Sequence, residues 1–188
     1  AHWLRFTKVY PYGNGFQSAA LNLYRLGEKS EALRLIQQRA YAVAKLNNED
    51  VDATRAQYTS ELYRSLGEWG KAREALMPFL NNDKATSAIY LELARIEFES
   101  KRFAQAAEAA SNAFKLSEVP ASLSLWMESL LESGNSSEVW DVFGLYRDSH
   151  HLLNERIFWI AGSALSRMDA DDVALELYRE ALGHFPYS

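Results

Sequence analysis

Five turn-like positions, each followed five residues later by a small or β-branched residue, recur along the chain: Gly27 and Ala32, Gly67 and Ala72, Lys101 and Ala106, Gly134 and Val139, Asp169 and Ala174. Successive turns lie 40, 34, 33 and 35 residues apart. A period near 34 residues fits two helices joined by a tight turn. A lone pair of this kind cannot bury its apolar face, so it stacks on its neighbours. The repeat therefore predicts an array of helix pairs, an architecture that presents a curved surface to other proteins.

The segments between the turns carry helical periodicity. Ile89, Leu93, Ala94 and Ile96 share one face at spacings of three and four. Phe103, Ala106, Ala107, Ala110, Ala113 and Phe114 repeat that pattern in the next segment. No stretch alternates apolar and polar residues between hairpin turns, so no strand is expected. The expected helices are 16–26 and 29–46, 52–66 and 69–80, 86–99 and 102–116, 121–133 and 136–148, and 154–167 and 170–183. Thr86 or Ser87, Ser136 and Asn154 are read as N-caps. Pro120 opens a helix, where a missing amide costs nothing. Pro78 lies inside one and is expected to kink it or end it early. The polar run Asn81-Asn82-Asp83-Lys84 follows as an exit loop. The 40-residue step predicts a lengthened helix through Ala32–Leu46 or a longer loop around Asn47–Asp50.

Composition narrows the function classes. The chain has 188 residues, 48% of them hydrophobic, enough for one globular domain with a real core. No apolar run approaches the ~20 residues that span a bilayer, so direct membrane insertion is not expected. The formal net charge of −5 argues against a nucleic-acid partner, which requires a basic face. With no cysteine, thiolate catalysis, disulfides and cysteine metal sites are excluded. The composition is compatible with periplasm or cytoplasm.

With these residues in register, the chain resembles the tetratricopeptide repeat (TPR) family over about residues 13–188. The last unit carries the family pattern most fully, in Phe158, Ala161-Gly162, Leu165, Ala174, Tyr178, Ala181 and Pro186. The third unit has Tyr90, Leu93-Ala94, Ala106, Ala110 and Ala113, and the second has Tyr63, Gly67, Trp69, Ala72 and Leu76. The fourth keeps Leu123, Leu130, Gly134, Val139 and Phe143, with Tyr146 where alanine is usual. The first keeps only Leu23, Gly27, Ala32 and Ile36. The resemblance implies an all-α fold, a right-handed α-solenoid of about five antiparallel helix pairs. It would form a single domain over residues 1–188, with an atypical first pair at 13–52 and four regular pairs at 53–188. Residues 1–12 read as the remnant of a preceding helix, and the chain as a piece of a longer one.

In this family the first helix of each pair lines the concave face. The resemblance then implies a partner-binding surface of Gln57, Glu61, Arg64, Leu91, Arg95, Phe98, Glu99, Glu128, Trp159, Ser163 and Arg167. Ser124, Leu131, Glu132 and Arg156 fall on the same register. Arginines mixed with aromatics suit an extended peptide, because guanidinium groups grip carboxylates and rings anchor apolar side chains. The family's Lys/Asn clamp for a C-terminal carboxylate is absent, since the corresponding positions hold Gln57, Leu91, Ser124, Glu61, Arg95 and Glu128.

Other constellations are poor. His150-His151 occupies a loop, and His2 and His184 stand alone in sequence, so no metal or cofactor site is expected. Asp169, Asp171 and Asp172 lack the glycine and distant glutamate of a calcium loop. Paired carboxylates such as Glu128 and Glu132 have no accompanying nucleophile. The expectation is a non-catalytic scaffold or adaptor binding a protein or peptide. The alternative is a structural assembly unit that stacks through its ends on itself or on a larger bacterial envelope protein, with Trp3, Phe6, Tyr10, Tyr12, Tyr178, Leu182, Phe185 and Tyr187 as the apolar end residues.

Overall fold

Why the period produces hairpins is visible in the backbone at each turn. All five turn residues adopt the left-handed conformation: Gly27 (φ 89°), Gly67 (73°), Lys101 (62°), Gly134 (87°) and Asp169 (58°). The following amide reaches back five residues to close the preceding helix. Glu28 donates to the Leu23 carbonyl at 3.0 Å, Glu68 to Tyr63 at 2.9 Å, Arg102 to Glu97 at 2.7 Å, Asn135 to Leu130 at 2.9 Å and Ala170 to Leu165 at 3.0 Å. This is a Schellman closure used five times. The carbonyl of that same residue then accepts from the first core residue of the next helix, as Glu28 does from Ala32 at 3.0 Å and Asn135 from Val139 at 3.2 Å. One short motif therefore ends one helix and starts another, and the five residues it aims inward, Ala32, Ala72, Ala106, Val139 and Ala174, are all buried.

The computed structural model describes residues 15–80 and 84–185. They form ten helices: α1 (Gly15–Arg25), α2 (Lys29–Asn47), α3 (Val51–Ser65), α4 (Trp69–Leu80), α5 (Ser87–Glu99), α6 (Phe103–Leu116), α7 (Pro120–Glu132), α8 (Ser136–Tyr146), α9 (Glu155–Arg167) and α10 (Asp171–His184). No strand occurs among the described residues. Residues 1–12, the Asn81–Asp83 part of the exit loop, Pro186 and Tyr187 lie outside them, and so do the expectations placed there. The chain divides into two compact units, Ala1–Glu92 and Leu93–Ser188, with α5 contributing residues to each.

In the first unit α1 packs on α2, α2 on α3, α3 on α4, and α1 also touches α3. The three-residue links at 26–28 and 66–68 make each pair antiparallel. Phe16, Ala20, Tyr24, Ala32, Leu35, Ile36 and Leu62 form the core here. The 40-residue step is explained by α2, which runs 19 residues before Asn48 turns left-handed (φ 57°). Asp50 then caps α3, accepting from the Ala53 amide at 2.7 Å. Pro78 sits inside α4, which continues to Leu80.

In the second unit α6 packs on α7, α7 on α8, α8 on α9, α9 on α10, and α7 on α9. Phe114, Leu123, Met127, Leu131, Phe143, Leu152, Ile157 and Phe158 make a continuous core. The eight-residue link 147–154 is pinned by Leu152, which is buried within that core. Asn154 caps α9 through the Ile157 amide at 3.1 Å, and Thr86 caps α5 through the Ile89 amide at 3.3 Å. Ser136 is not a cap. The Schellman closure places Asn135 there, and its side chain makes no capping bond.

The register that recurs at the turns also sets core size. Seven residues before each turn stand Ala20, Ser60, Ala94, Met127 and Gly162, all buried. Nine residues after it stand Ile36, Leu76, Ala110, Phe143 and Tyr178. In the last pair this becomes steric necessity. A Cβ on Gly162 would lie 2.3 Å from a ring carbon of Tyr178.

Candidate partner-binding faces

The first helices of the pairs are α1, α3, α5, α7 and α9, and their exposed sides carry the residues expected to bind a partner. Within the first unit, α1 and α3 are joined by side chains. Gln17 donates to one Glu61 oxygen, and Gln57 donates to the other at 3.1 Å. Arg64 donates from Nε to Glu92 on α5 at 2.7 Å, and the Glu92 side chain is fully buried. Leu91 is half-buried beside it in sequence. Of these four expected residues, Glu61 and Arg64 bond to a neighbouring first helix, while Gln57 bonds to Glu61 within α3 itself.

Within the second unit the same device joins α7 to α9. Arg167 donates from Nη2 to Glu132 at 2.9 Å and from Nη1 to the Leu131 carbonyl at 2.5 Å. Arg156 donates to Glu128. Trp159 lies between these two anchors in the α9 sequence and is 55% exposed, while its neighbours Ile157, Phe158 and Ile160 are buried. Ser163 follows one turn later, half-buried. Phe98 packs edge-on against Phe103 (centroids 5.3 Å apart) across its own hairpin turn. Arg95 is half-buried and Glu99 exposed.

Several residues here were not singled out from sequence. Gln17 and Glu92 are examples, and each bonds one repeat away along the first helices, at separations of 44 and 28 residues. Polar residues one period apart on first helices were the available signal. His184, alone in sequence, has its ring 6.2 Å from that of His150 and 5.9 Å from Phe158. Among the described residues, no group of three or more His, Asp or Glu side chains is placed to hold a metal ion. No helix among them is long and apolar enough to cross a membrane.

Electrostatic perturbation gathers away from this face, at the α3–α4 turn. Lys71 donates to Glu68 at 2.7 Å, which holds the Glu68 carboxyl below its ordinary range and raises Lys71. Tyr24 also donates to Glu68, at 3.2 Å. Burial pushes the hydroxyl of Tyr63 up, beside the edge-on ring of Tyr24. This cluster ties α1 to the next hairpin turn and contains no nucleophile poised for chemistry.

A tetratricopeptide repeat family model matches residues 5–188. Members of that family are generally non-catalytic and bind proteins or peptides. Among solved structures, the chain is similar to YrrB, described as a TPR protein with an unusual peptide-binding site. The TM-score is 0.62 at 16% identity, covering 100% of this chain and 94% of that one. It is also similar to MamA from AMB-1 in two crystal forms. One has a TM-score of 0.60 at 14% identity, covering 92% of this chain and 91% of that one; the other has 0.58 at 15%, covering 88% and 94%. At these identities the likeness establishes the fold, an all-α solenoid. No curated protein matches the chain.

Proposed function

The chain belongs to the tetratricopeptide repeat family, and from that premise we propose that it is a non-catalytic scaffold or adaptor that holds a peptide or partner protein on the side formed by its first helices. The observation that carries this reading is Trp159. A 55% exposed indole on a helix whose other aromatic and aliphatic residues are buried is costly to leave in water and well suited to anchor an apolar side chain. The Arg156–Glu128 and Arg167–Glu132 bonds fix α9 on α7, so the indole is presented on a preordered helix. Because those arginines are engaged internally, recognition rests on Trp159, Ser163 and backbone-sized contacts rather than on arginine clamps. The net charge of −5 disfavours nucleic acid as the partner.

The test is selection of binding peptides from a displayed library against the chain. Enriched peptides should lose about tenfold or more in affinity on Trp159→Ala, the scale of an interface anchor. Enrichment that is indifferent to Trp159→Ala removes this face from the proposal.

A second reading is favoured by α10, where Leu175 and Leu182, two turns apart on one stripe, are 49% and 65% exposed. Such a stripe suits stacking on another copy or on the rest of a larger protein, such as a bacterial envelope component for polysaccharide export or outer-membrane assembly. Concentration-dependent mass by light scattering that vanishes in Leu175→Glu/Leu182→Glu supports it. A monomer at all concentrations rules out self-stacking.

A further inference from the structure

The formal net charge of −5 conceals an opposition between the two units. In the first unit the second helices of the pairs, α2 and α4, carry six basic residues against two acidic ones, Glu31 and Glu74. In the second unit the corresponding helices, α6, α8 and α10, carry seven acidic residues against two basic ones, Lys115 and Arg179. Helix dipoles account for part of this, since Asp171 and Asp172 open α10 and Lys45 lies in the last turn of α2. They do not account for Arg34 inside α2, Asp141 in α8 or Glu176 in α10, and Lys29 at the start of α2 stands against its dipole.

On α2 the charge falls on one exposed stripe. Arg34, Gln38, Tyr41 and Lys45 follow at spacings of four, three and four, which places them on one face along about 16 Å of helix. All four are exposed. The Tyr41 ring is 56% exposed and has the Lys45 ammonium 5.7 Å from its centroid. Arg34 pairs with Glu31 one turn back, but its side chain remains 60% exposed, so the pair is solvated and the cation still faces outward. On α10, Asp172, Glu176 and Arg179 follow at spacings of four and three, with the exposed Leu175 and Leu182 beside them. Among the described residues neither Asp172 nor Glu176 has an ion-pair partner. Each helix therefore presents apolar surface beside charge, and the two charges have opposite sign.

We propose that α10 of one copy docks on α2 of a second copy, with Asp172 and Glu176 facing Arg34 and Lys45, and Leu175 packed against the Tyr41 ring. Complementary potentials steer two such surfaces together and penalise like against like. Packing α2 on α2 would set cation against cation, and α10 on α10 would set acid against acid. The contact therefore joins unlike helices and is heterologous. Solvated ion pairs contribute little by themselves, so the leucine and the tyrosine ring form the apolar centre and the charges choose the partner. The inference rests on the self-stacking reading of α10 above and names the surface on which that helix stacks.

The experiment is sedimentation of the whole chain over a range of concentrations. Association at about 50 mM salt should weaken about tenfold or more at about 500 mM, where exposed charges are screened. Arg34→Glu/Lys45→Glu and Asp172→Lys/Glu176→Lys should each weaken it about tenfold or more. Mixing the two variants should restore it, because the acidic α2 of one then meets the basic α10 of the other. Association that ignores salt, association that survives either reversal, or a mixture of two folded variants that stays monomeric each overturns the proposal. The salt comparison needs no variant and decides even if a variant folds poorly. A chain that stays monomeric but binds phosphatidylglycerol vesicles through Arg34 and Lys45 assigns α2 to a lipid surface and also overturns it. Self-association lost in Leu175→Glu/Leu182→Glu but indifferent to the charge reversals sinks this inference alone. Association that obeys the charge rules yet ignores those leucine changes sinks only the leucine stripe of the earlier reading.

Discussion

The two units build the same hairpins but join their first helices by different chemistry. In residues 1–92 the links are a neutral amide, Gln17, donating to Glu61 and an Arg64–Glu92 pair whose carboxylate is fully buried. In residues 93–188 the links are Arg156–Glu128 and Arg167–Glu132, with both arginines about half exposed or more. The backbone register comes from the turns and the small core residues, which the units share. The cross-links are free to vary because they act on helices already placed. They should also differ in energetic weight, since a charge removed from water depends on its partner far more than a solvated one does.

The widest separation between the units is expected at these pairs. Arg64→Met leaves the Glu92 carboxylate buried without its 2.7 Å partner and should cost about 3 kcal/mol in chemical denaturation. Adding Glu92→Leu should return most of that loss, because removing a buried pair together is far cheaper than breaking it. Arg167→Met, at the half-exposed counterpart, should cost no more than about 1 kcal/mol. Equal losses at Arg64 and Arg167 would erase the distinction drawn between the units.

A smaller contrast concerns the core position seven residues before the turn. In the first unit Ser60 fills it and donates to the Ala72 carbonyl at 2.9 Å. In the second, Gly162 fills it and the Tyr178 ring occupies the space of the absent side chain. Gly162→Ala should therefore cost about 2 kcal/mol through overpacking, despite alanine's better helix propensity. Tyr178→Leu in the same chain should recover much of it, a coupling measurable by a double-mutant cycle. Ser60→Ala should lose only about 1 kcal/mol, the worth of one hydrogen bond.

Most of the fold could be read from the chain, because the signal is local and repeated. Gly27, Gly67 and Gly134 mark turns by their own chemistry, and Ala32, Ala72 and Ala174 mark the close packing that follows. The helix ends agree with expectation to within about two residues, and the 40-residue step proved to be a long α2. Ser136 misled because a Schellman closure supplies the start of α8 without a side-chain cap. The proposed binding face was legible only as a set of positions. The family resemblance assigns Arg64, Trp159 and Arg167 to one expected surface. It does not say that Glu92 and Glu132, 28 and 35 residues away, have claimed the arginines while the indole is left exposed. Pairing of that kind depends on side-chain reach between stacked helices, which a one-dimensional pattern does not encode.

The finest contrast lies in the turns themselves. Both hairpin turns of the first unit use glycine in the left-handed position, whereas the second unit uses Lys101 (φ 62°), Gly134 and Asp169 (φ 58°). A side chain there brings Cβ against the following carbonyl, at about 1 kcal/mol or more for an ordinary residue and less for aspartate, whose short polar side chain tolerates the conformation. Lys101 is exposed, and its side chain has no hydrogen-bond or ion-pair partner among the described residues, so no side-chain contact there offsets that strain. Lys101→Gly should accordingly stabilise the chain by somewhat under about 1 kcal/mol, net of the extra freedom glycine gains when unfolded. Asp169→Gly should gain only a few tenths of that unit. Gly67→Ala should lose about 1 kcal/mol, although the nearest atom to its added Cβ is a Trp69 ring carbon 4.0 Å away and no clash results. The ordering is therefore a test of backbone conformation alone. If Lys101→Gly destabilises the chain, conformational strain is not what distinguishes the turns of the two units, and the lysine side chain must be contributing something that its exposure does not suggest.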